Sequence, residues 1–289
     1  MPNSLARLTM QALAIVLTVM VPAIGFAQPL IKLQGANLAF PSATGMALPI
    51  IKEKGFDKKN GIDFDLKVFG TVSAYYGAVA SGELDVATGG PLVYQRMRLE
   101  GVKLKIIGTL VDMTTISVIT RDPAVKTLTD LKGKSLAADL ASAEYSVLSL
   151  YAKRKSLILG KDVTLVAAGP PLVRTQLAAD RVEAGMTWEP TATLTMRDNP
   201  AYRIIFNGKQ AWREMTGKDG WLLVITTNEN WLAKNAAHVP KVVAMYSDAA
   251  RFMRTNPDEA DEILARAMKL PPGAVKDMLG APRVVFDVK

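Results

Sequence analysis

The 289-residue sequence contains no cysteine and a single histidine, His238. Without cysteine there is no disulfide framework, no thiolate nucleophile and no metal site of the Cys/His type. One histidine leaves general acid–base chemistry little to work with. His238 lies in Ala236-Ala237-His238-Val239-Pro240, a junction between expected helices, where a solvated or packed side chain fits better than a base. Also absent are a Gly-x-Ser-x-Gly nucleophile elbow and a Gly-x-Gly-x-x-Gly dinucleotide loop. Gly133-Lys134-Ser135 imitates the end of a phosphate loop. Leu128 stands where that loop needs its leading glycine, and the segment precedes a strand instead of following one. The inventory favours binding over turnover, with no cofactor and no metal.

What is present begins with an apolar leader. Arg7 precedes the run Leu8 to Val21, Pro22 breaks it, and Gly25-Phe26-Ala27 supplies small residues where a signal peptidase reads. Basic start, apolar middle and small-residue exit describe a secretory signal peptide over residues 1–27. A membrane anchor is the competing reading of the same run, and Pro22 with the small-residue exit favours cleavage. No later segment is apolar for long enough to span a bilayer, so the expected mature protein is soluble and periplasmic. With no lipobox cysteine to carry a lipid, it is expected to diffuse freely.

Apolar residues make up 49% of the chain and charged residues 21%, which suits a globular protein with a sizeable core and excludes a disordered one. The formal charge of +8 is spread along the chain, and even Lys58-Lys59 and Lys153-Arg154-Lys155 read as solvated helix surface. No nucleic-acid partner is expected.

The mature sequence alternates strand and helix patterns, the mark of an α/β fold with mixed, mostly parallel sheets. Ile31 to Leu38 reads as a strand and Met46 to Lys54 as a helix. Ile62, Phe64, Leu66 and Val68 alternate with polar residues as a half-buried strand. Gly70-Thr71-Val72-Ser73 opens a helix to Ala80, since a Ser or Thr oxygen accepts from free first-turn amides. Strand, helix and strand follow at Val86–Thr88, Leu92–Glu100 and Lys103–Leu110.

A second set repeats the layout. It runs through strands at Ile116–Thr120, Ser135–Ala138, Val163–Ala167, Ala184–Met186 and Tyr202–Phe206, with helices at Ala143–Lys155, Leu172–Ala179 and Thr191–Arg197. Gly70 and Gly169 open comparable helices, and each helix leads through a short strand to a proline, Pro91 or Pro190. This weak internal repeat suggests two similar lobes. After the strand Trp221 to Thr226 the tail is helical and is expected to pack back on the first lobe. The chain would cross near Met113–Ile116 and Gly217–Trp221. That gives lobe I as 28–115 plus 221–289 and lobe II as 116–220, with a hinged cleft between them.

Ser42-Ala43-Thr44-Gly45, Gly70-Thr71-Val72-Ser73, Gly89-Gly90-Pro91, Ser142 and Gly169-Pro170-Pro171 all follow expected strands. Ligands of parallel α/β sheets bind at the carboxyl ends of strands, and helix amino-termini there suit an anion. Phe40, Tyr75, Tyr76, Tyr94, Tyr145 and Trp188 are candidate lining aromatics, of which about half are expected to touch ligand because most aromatics are core.

The segments Ala80-Ser81-Gly82-Glu83-Leu84-Asp85-Val86-Ala87-Thr88-Gly89-Gly90-Pro91, Leu128-Thr129-Asp130-Leu131-Lys132-Gly133-Lys134 and Trp188-Glu189-Pro190 resemble the nitrate/sulfonate/taurine-type binding proteins of ABC importers. These belong to the thiamine-pyrimidine-synthase-like superfamily. The likeness covers nearly all of the mature chain and implies a class-two periplasmic-binding fold with a ligand between the lobes. It further implies a membrane permease and ATPase as partners of a monomeric binding protein. By this resemblance the cleft positions are Ser42, Thr44, Thr71, Ser73, Gly90, Ser142, Tyr145, Trp188 and Glu189. The implied ligand is a small anion such as an alkane or aryl sulfonate, taurine or nitrate, with a thiamine-type pyrimidine as the alternative. Glu189 is out of place in an anion pocket and is expected to meet a cationic or hydrogen-bond-donating part of the ligand. The chain also stops at Lys289, sooner than such proteins usually do. Related pyrimidine-synthase enzymes rely on histidine and a cysteine-rich motif that this sequence lacks. A regulator's effector domain would need a DNA-binding helix pair in place of the leader.

Overall fold

The computed structural model describes residues 29–281 and 283–289. The expected leader lies outside them. In chain order the elements are β1 (Ile31–Leu38), α1 (Ala43–Glu53), α2 (Phe56–Lys59), β2 (Ile62–Phe69), α3 (Val72–Ala80), β3 (Val86–Gly89), α4 (Pro91–Leu99) and β4 (Leu104–Asp112). Then follow β5 (Ser117–Thr120), β6 (Ser135–Ala138), α5 (Ala143–Arg154), β7 (Thr164–Ala167), α6 (Pro170–Ala178), β8 (Ala184–Thr187), α7 (Thr191–Asp198) and β9 (Arg203–Asn207). The chain finishes with α8 (Gly208–Thr216), β10 (Trp221–Asn228), α9 (Glu229–Asn235), α10 (Val239–Thr255), α11 (Pro257–Met268) and α12 (Ala274–Gly280).

β5 to β9 form one sheet in the order β7-β6-β8-β5-β9. β6 runs parallel to β7 and β8, while β5 runs against β8 and β9. The remaining strands repeat the arrangement. β1 pairs in parallel with β2, and β10 runs against both β3 and β4. Gln34 and Asp85 join these groups: the Asp85 N–H donates to the Gln34 carbonyl and its carboxylate accepts from the Gln34 N–H, each at 2.9 Å. The sequence β2-β1-β3-β10-β4 thus mirrors the second sheet, with β10 and β5 in equivalent reversed places.

The chain passes between the sheets twice, from β4 to β5 and from β9 through α8 to β10. The passages pack against each other. The Lys209 ammonium lies 2.8 Å from the Asp112 carboxylate, and the Gly208 N–H donates to the Ile116 carbonyl at 3.0 Å. A Cβ on Gly208 would come within 2.7 Å of the Met113 carbonyl oxygen, so glycine sets how closely the passages approach.

Fully buried residues of α1, Met46, Ala47, Leu48, Ile50 and Ile51 among them, meet the tail helices. Phe64 meets Tyr246 edge to face at 6.4 Å, and Phe56 meets Phe252 at 6.1 Å, so α10 is locked to β2 and α2. The last residues return to the edge of β4, where the Asp112 N–H donates to Val285 and the Asp287 N–H donates to Leu110. In β2 the inward alternation holds at Ile62 and Phe64 but fades by Val68, which is 65% exposed.

Besides the single turn α2, two helices were not anticipated. α8 opens on Asn207, whose side chain accepts from the Gln210 N–H, and ends on Gly217 in the left-handed region at φ +71°. α12 follows Pro271-Pro272-Gly273 and is seated by Asp261 of α11, whose carboxylate accepts from the Gly273, Val275 and Lys276 N–H groups.

Candidate functional site

Loops leaving β1, β2 and β3 carry helix starts, as do those leaving β6, β7 and β8. Ser42 caps α1 by accepting from the Gly45 N–H at 3.3 Å, and Thr71 caps α3 by accepting from Ala74 at 3.1 Å. Ser142 caps α5 by accepting from the Tyr145 N–H at 3.0 Å. Its hydroxyl also donates to the Asp139 carbonyl at 2.8 Å, so both roles of that oxygen are engaged within the loop. α4 and α6 open differently, each with a glycine (Gly90, Gly169) followed by proline and no side-chain cap.

Two contacts bring the strand ends of the two sheets together. At one, Gly90 lies against the start of α5: a Cβ on Gly90 would stand 2.1 Å from the Ala143 Cβ. At the other, a cavity of about 580 Å³ opens between the β1–α1 loop and α6–α7. Ala39, Phe40 and Pro41 line one wall, Pro171 and Arg174 the opposite wall, and Met268 to Leu270 the rim.

The named positions separate by burial. Ser42, Gly90 and Ser142 are buried at helix starts, and Thr44 and Tyr145 are half-buried one and two residues into the first turns of α1 and α5. Thr71 and Ser73 are exposed, and within Gly70-Thr71-Val72-Ser73 the residue that caps α3 is Thr71. Trp188 is buried in the main hydrophobic core, with 3% of its surface accessible. Among the candidate aromatics, Phe40 lines the cavity, while Tyr75 and Tyr94 are buried in a tyrosine stack with Tyr76. The stacked rings meet edge to face at 5.6 and 5.9 Å. The Tyr75 hydroxyl donates to the Thr88 carbonyl, and the Tyr76 hydroxyl accepts from the Gly90 N–H at 3.2 Å. Tyr94 leaves its buried hydroxyl without a partner.

Glu189 is fully buried, and its charge is met from within the chain. Arg283, from the segment after α12, brings Nε to 3.0 Å of Oε1, and the Thr193 N–H donates to Oε2 at 3.1 Å. Burial pushes the carboxyl up, and Thr193 and Arg283 pull it back. The Glu189–Pro190 peptide is cis.

Two other acids stand at the junction of the sheets and escaped the sequence reading. Asp139 follows β6, and Glu144 lies in the first turn of α5. Glu144 is 7% exposed, and no cation among the described residues pairs with either acid. Burial raises the Glu144 carboxyl to about 7, with the Asp139 charge adding to the rise; burial raises Asp139 as well. Burial pushes up the Tyr76 hydroxyl of α3, and the charges of Glu144 and Asp139 add to that rise. From sequence alone, an acid in the first turn of a helix reads as solvated and favourable to the helix dipole. Its burial comes from packing between distant segments, which no local pattern encodes.

Known proteins carry the same architecture. The structure superposes on the alkanesulfonate-binding protein SsuA of Xanthomonas axonopodis pv. citri, bound to MOPS, with a TM-score of 0.73 and 18% identity over 90% of this chain and 87% of that one. It superposes on the periplasmic aliphatic sulphonate binding protein SsuA of Escherichia coli with a TM-score of 0.73 and 17% identity, covering 89% and 80% of the respective chains. These similarities establish the periplasmic-binding fold. In sequence, the chain is 25% identical over 221 residues to a Brucella abortus protein whose name describes it as a binding protein, spanning 76% of this chain and 67% of the relative. The family described as NMT1/THI5 like matches residues 46–260, which is most of the described chain, and the protein belongs to that family.

Proposed function

We propose that this chain is the extracytoplasmic solute-binding component of an ABC importer. It captures a small polar organic molecule between two lobes, 28–115 plus 221–289 and 116–220, and hands it to a membrane permease with its ATPase. The observation that carries this reading is the cavity of about 580 Å³ between the β1–α1 loop and α6–α7, where strand ends of two matching sheets meet. Two passages between the sheets give a hinge of the kind that closes around ligands, and only contacts made in the closed state drive closure. The sulfonate-binding proteins that share the fold support a sulfonate-type ligand. Uncapped first turns at Gly90 and Gly169 offer amides to an acidic group. Capture in place of turnover fits a chain whose one histidine lies at the junction of α9 and α10.

A thermal-shift screen of alkane- and arylsulfonates, taurine, nitrate and aminopyrimidines tests this, followed by small-angle scattering with any compound that stabilises the protein. The expected result is saturable stabilisation with a smaller radius of gyration. Binding without contraction would remove cleft closure, and a product formed from the ligand would replace capture with catalysis.

A further inference from the structure

Glu189 and Arg283 are held on opposite sides of the passages by contacts that do not involve each other. Glu189 follows β8, the middle strand of its sheet, and its N–H donates to the Thr115 hydroxyl at 3.2 Å. Thr115 lies in the passage from β4 to β5, so Glu189 stands at the turning point between the sheets. Arg283 is anchored to the side of the first sheet on both flanks. Upstream, the Asp261 carboxylate ties the start of α12 to α11, which packs on α1. Downstream, the Asp112 N–H donates to the Val285 carbonyl and the Thr109 N–H to the Lys289 carbonyl, each at 3.1 Å, which stitches the tail along β4.

Between these anchors the Arg283 guanidinium crosses over. Its Nε lies 3.0 Å from the Glu189 carboxylate, and it donates to the Thr193 hydroxyl of α7. A second crossing follows one turn further along α7, where Arg197 lies 3.4 Å from Asp277 of α12 and donates to the Pro272 carbonyl. Arg197 and Asp277 are exposed, so water screens them and their pair adds little. Glu189 is fully buried, and separating it from Arg283 would strand its charge.

We infer that Arg283 is a positioning residue for capture: through Glu189 it adds a third tie beside the two chain passages and sets the angle at which the lobes meet. This rests on the proposed capture function and names what holds its cleft in shape. Two passages alone leave rotation about the line that joins them. The Arg283 contacts reach from Glu189 into the first turn of α7 and oppose that rotation. α7 carries the consequence to the ligand, because Thr191 and Leu194 line the cavity of about 580 Å³ while Arg283 does not. Loss of the tie therefore moves a wall of the cavity without removing a lining residue. Affinity falls with the fraction of molecules that leave the described arrangement.

The chain has no cysteine, so Lys103→Cys and Lys161→Cys place one spin label beside each sheet at exposed positions. Double electron–electron resonance then reads the distance between the sheets without any ligand. The parent is expected to give one narrow distribution. Arg283→Met is expected to add a second, displaced population, and Arg283→Lys, which keeps a charge for Glu189, to return toward the parent. Arg283→Met combined with Glu189→Gln strands no charge and recovers part of the stability, yet it still lacks the tie and should stay broadened. Taurine or ethanesulfonate, whichever binds the parent in calorimetry, should bind Arg283→Met about tenfold more weakly if about one molecule in ten keeps the arrangement. A parent-like distribution in the double variant overturns the inference and leaves Arg283 a stabilising residue only, whether or not the single variant folds. So does unchanged affinity beside a broadened distribution. Binding of neither compound by the parent contradicts the capture function, while the distances still decide the tie.

Discussion

Arg283 holds Glu189 from the far end of the chain, its Nε 3.0 Å from Oε1, and the same guanidinium donates to the Thr193 hydroxyl at 3.0 and 3.2 Å. The pair ties the segment after α12 to the loop between β8 and α7, so the tail that packs on α1 also grips the second sheet.

Removing one partner strands the other. Arg283→Met leaves a fully buried carboxylate facing no charge and should cost about 2–3 kcal/mol in urea unfolding. Glu189→Gln in the same background should restore part of the loss, because the orphaned charge is gone. A double mutant no more stable than the sum of the single changes would show that the pair is not coupled.

Glu144 makes a prediction with a definite sign. Its carboxyl is raised from 4.5 to about 7 in the folded protein. Between those values the folded state keeps a proton that the unfolded state has released, so stability falls as pH rises through the window. Glu144→Gln should therefore leave stability near pH 4.5 unchanged and raise it at pH 8, by at most about 3 kcal/mol. Thermal unfolding of parent and variant across that range measures it. Parallel curves for the two proteins would refute the burial of an unmatched acid.

The approach of Gly90 to the start of α5 leaves no room for a methyl group. Gly90→Ala should cost about 1–3 kcal/mol or push α4 and α5 apart, and ligand affinity should drop with it. Unchanged affinity together with unchanged stability would mean that the two helices do not meet this closely in solution.

Ser142 and Ser73 look alike as hydroxyls near helix starts, yet their surroundings differ. Ser142→Ala removes a cap and a hydroxyl donor and should cost about 1 kcal/mol. Ser73→Ala, at an exposed position with no cap, should stay within about 0.5 kcal/mol of the parent. Chemical denaturation of both distinguishes them; equal losses would contradict the capping assignment.

Much of the fold was legible because strands and helices here obey local rules. The strand Ile31–Leu38, the cap at Ser142 and the prolines at Pro91 and Pro190 mark their elements in the sequence itself. The helix α8 carries its own signals, Asn207 and Gly217, but its turns hold few apolar residues to set a period. The site was legible only in part. Helix starts are local and were found, but the burial of Trp188 among core residues depends on packing between distant segments. The partner of Glu189 comes from the tail, and the exposure of Ser73 depends on where α3 lies. Long-range contacts decided each of these, and periodicity carries no trace of them.

The central claim is that strand ends of the two sheets capture a small molecule by closing on it. Calorimetric titration of the protein with taurine and with ethanesulfonate at pH 8, read beside its radius of gyration, tests this most directly. The account predicts saturable one-to-one binding of at least one of the two with a Kd on the order of micromolar, and contraction on binding. Binding of neither compound, or binding with no change in size, would contradict it.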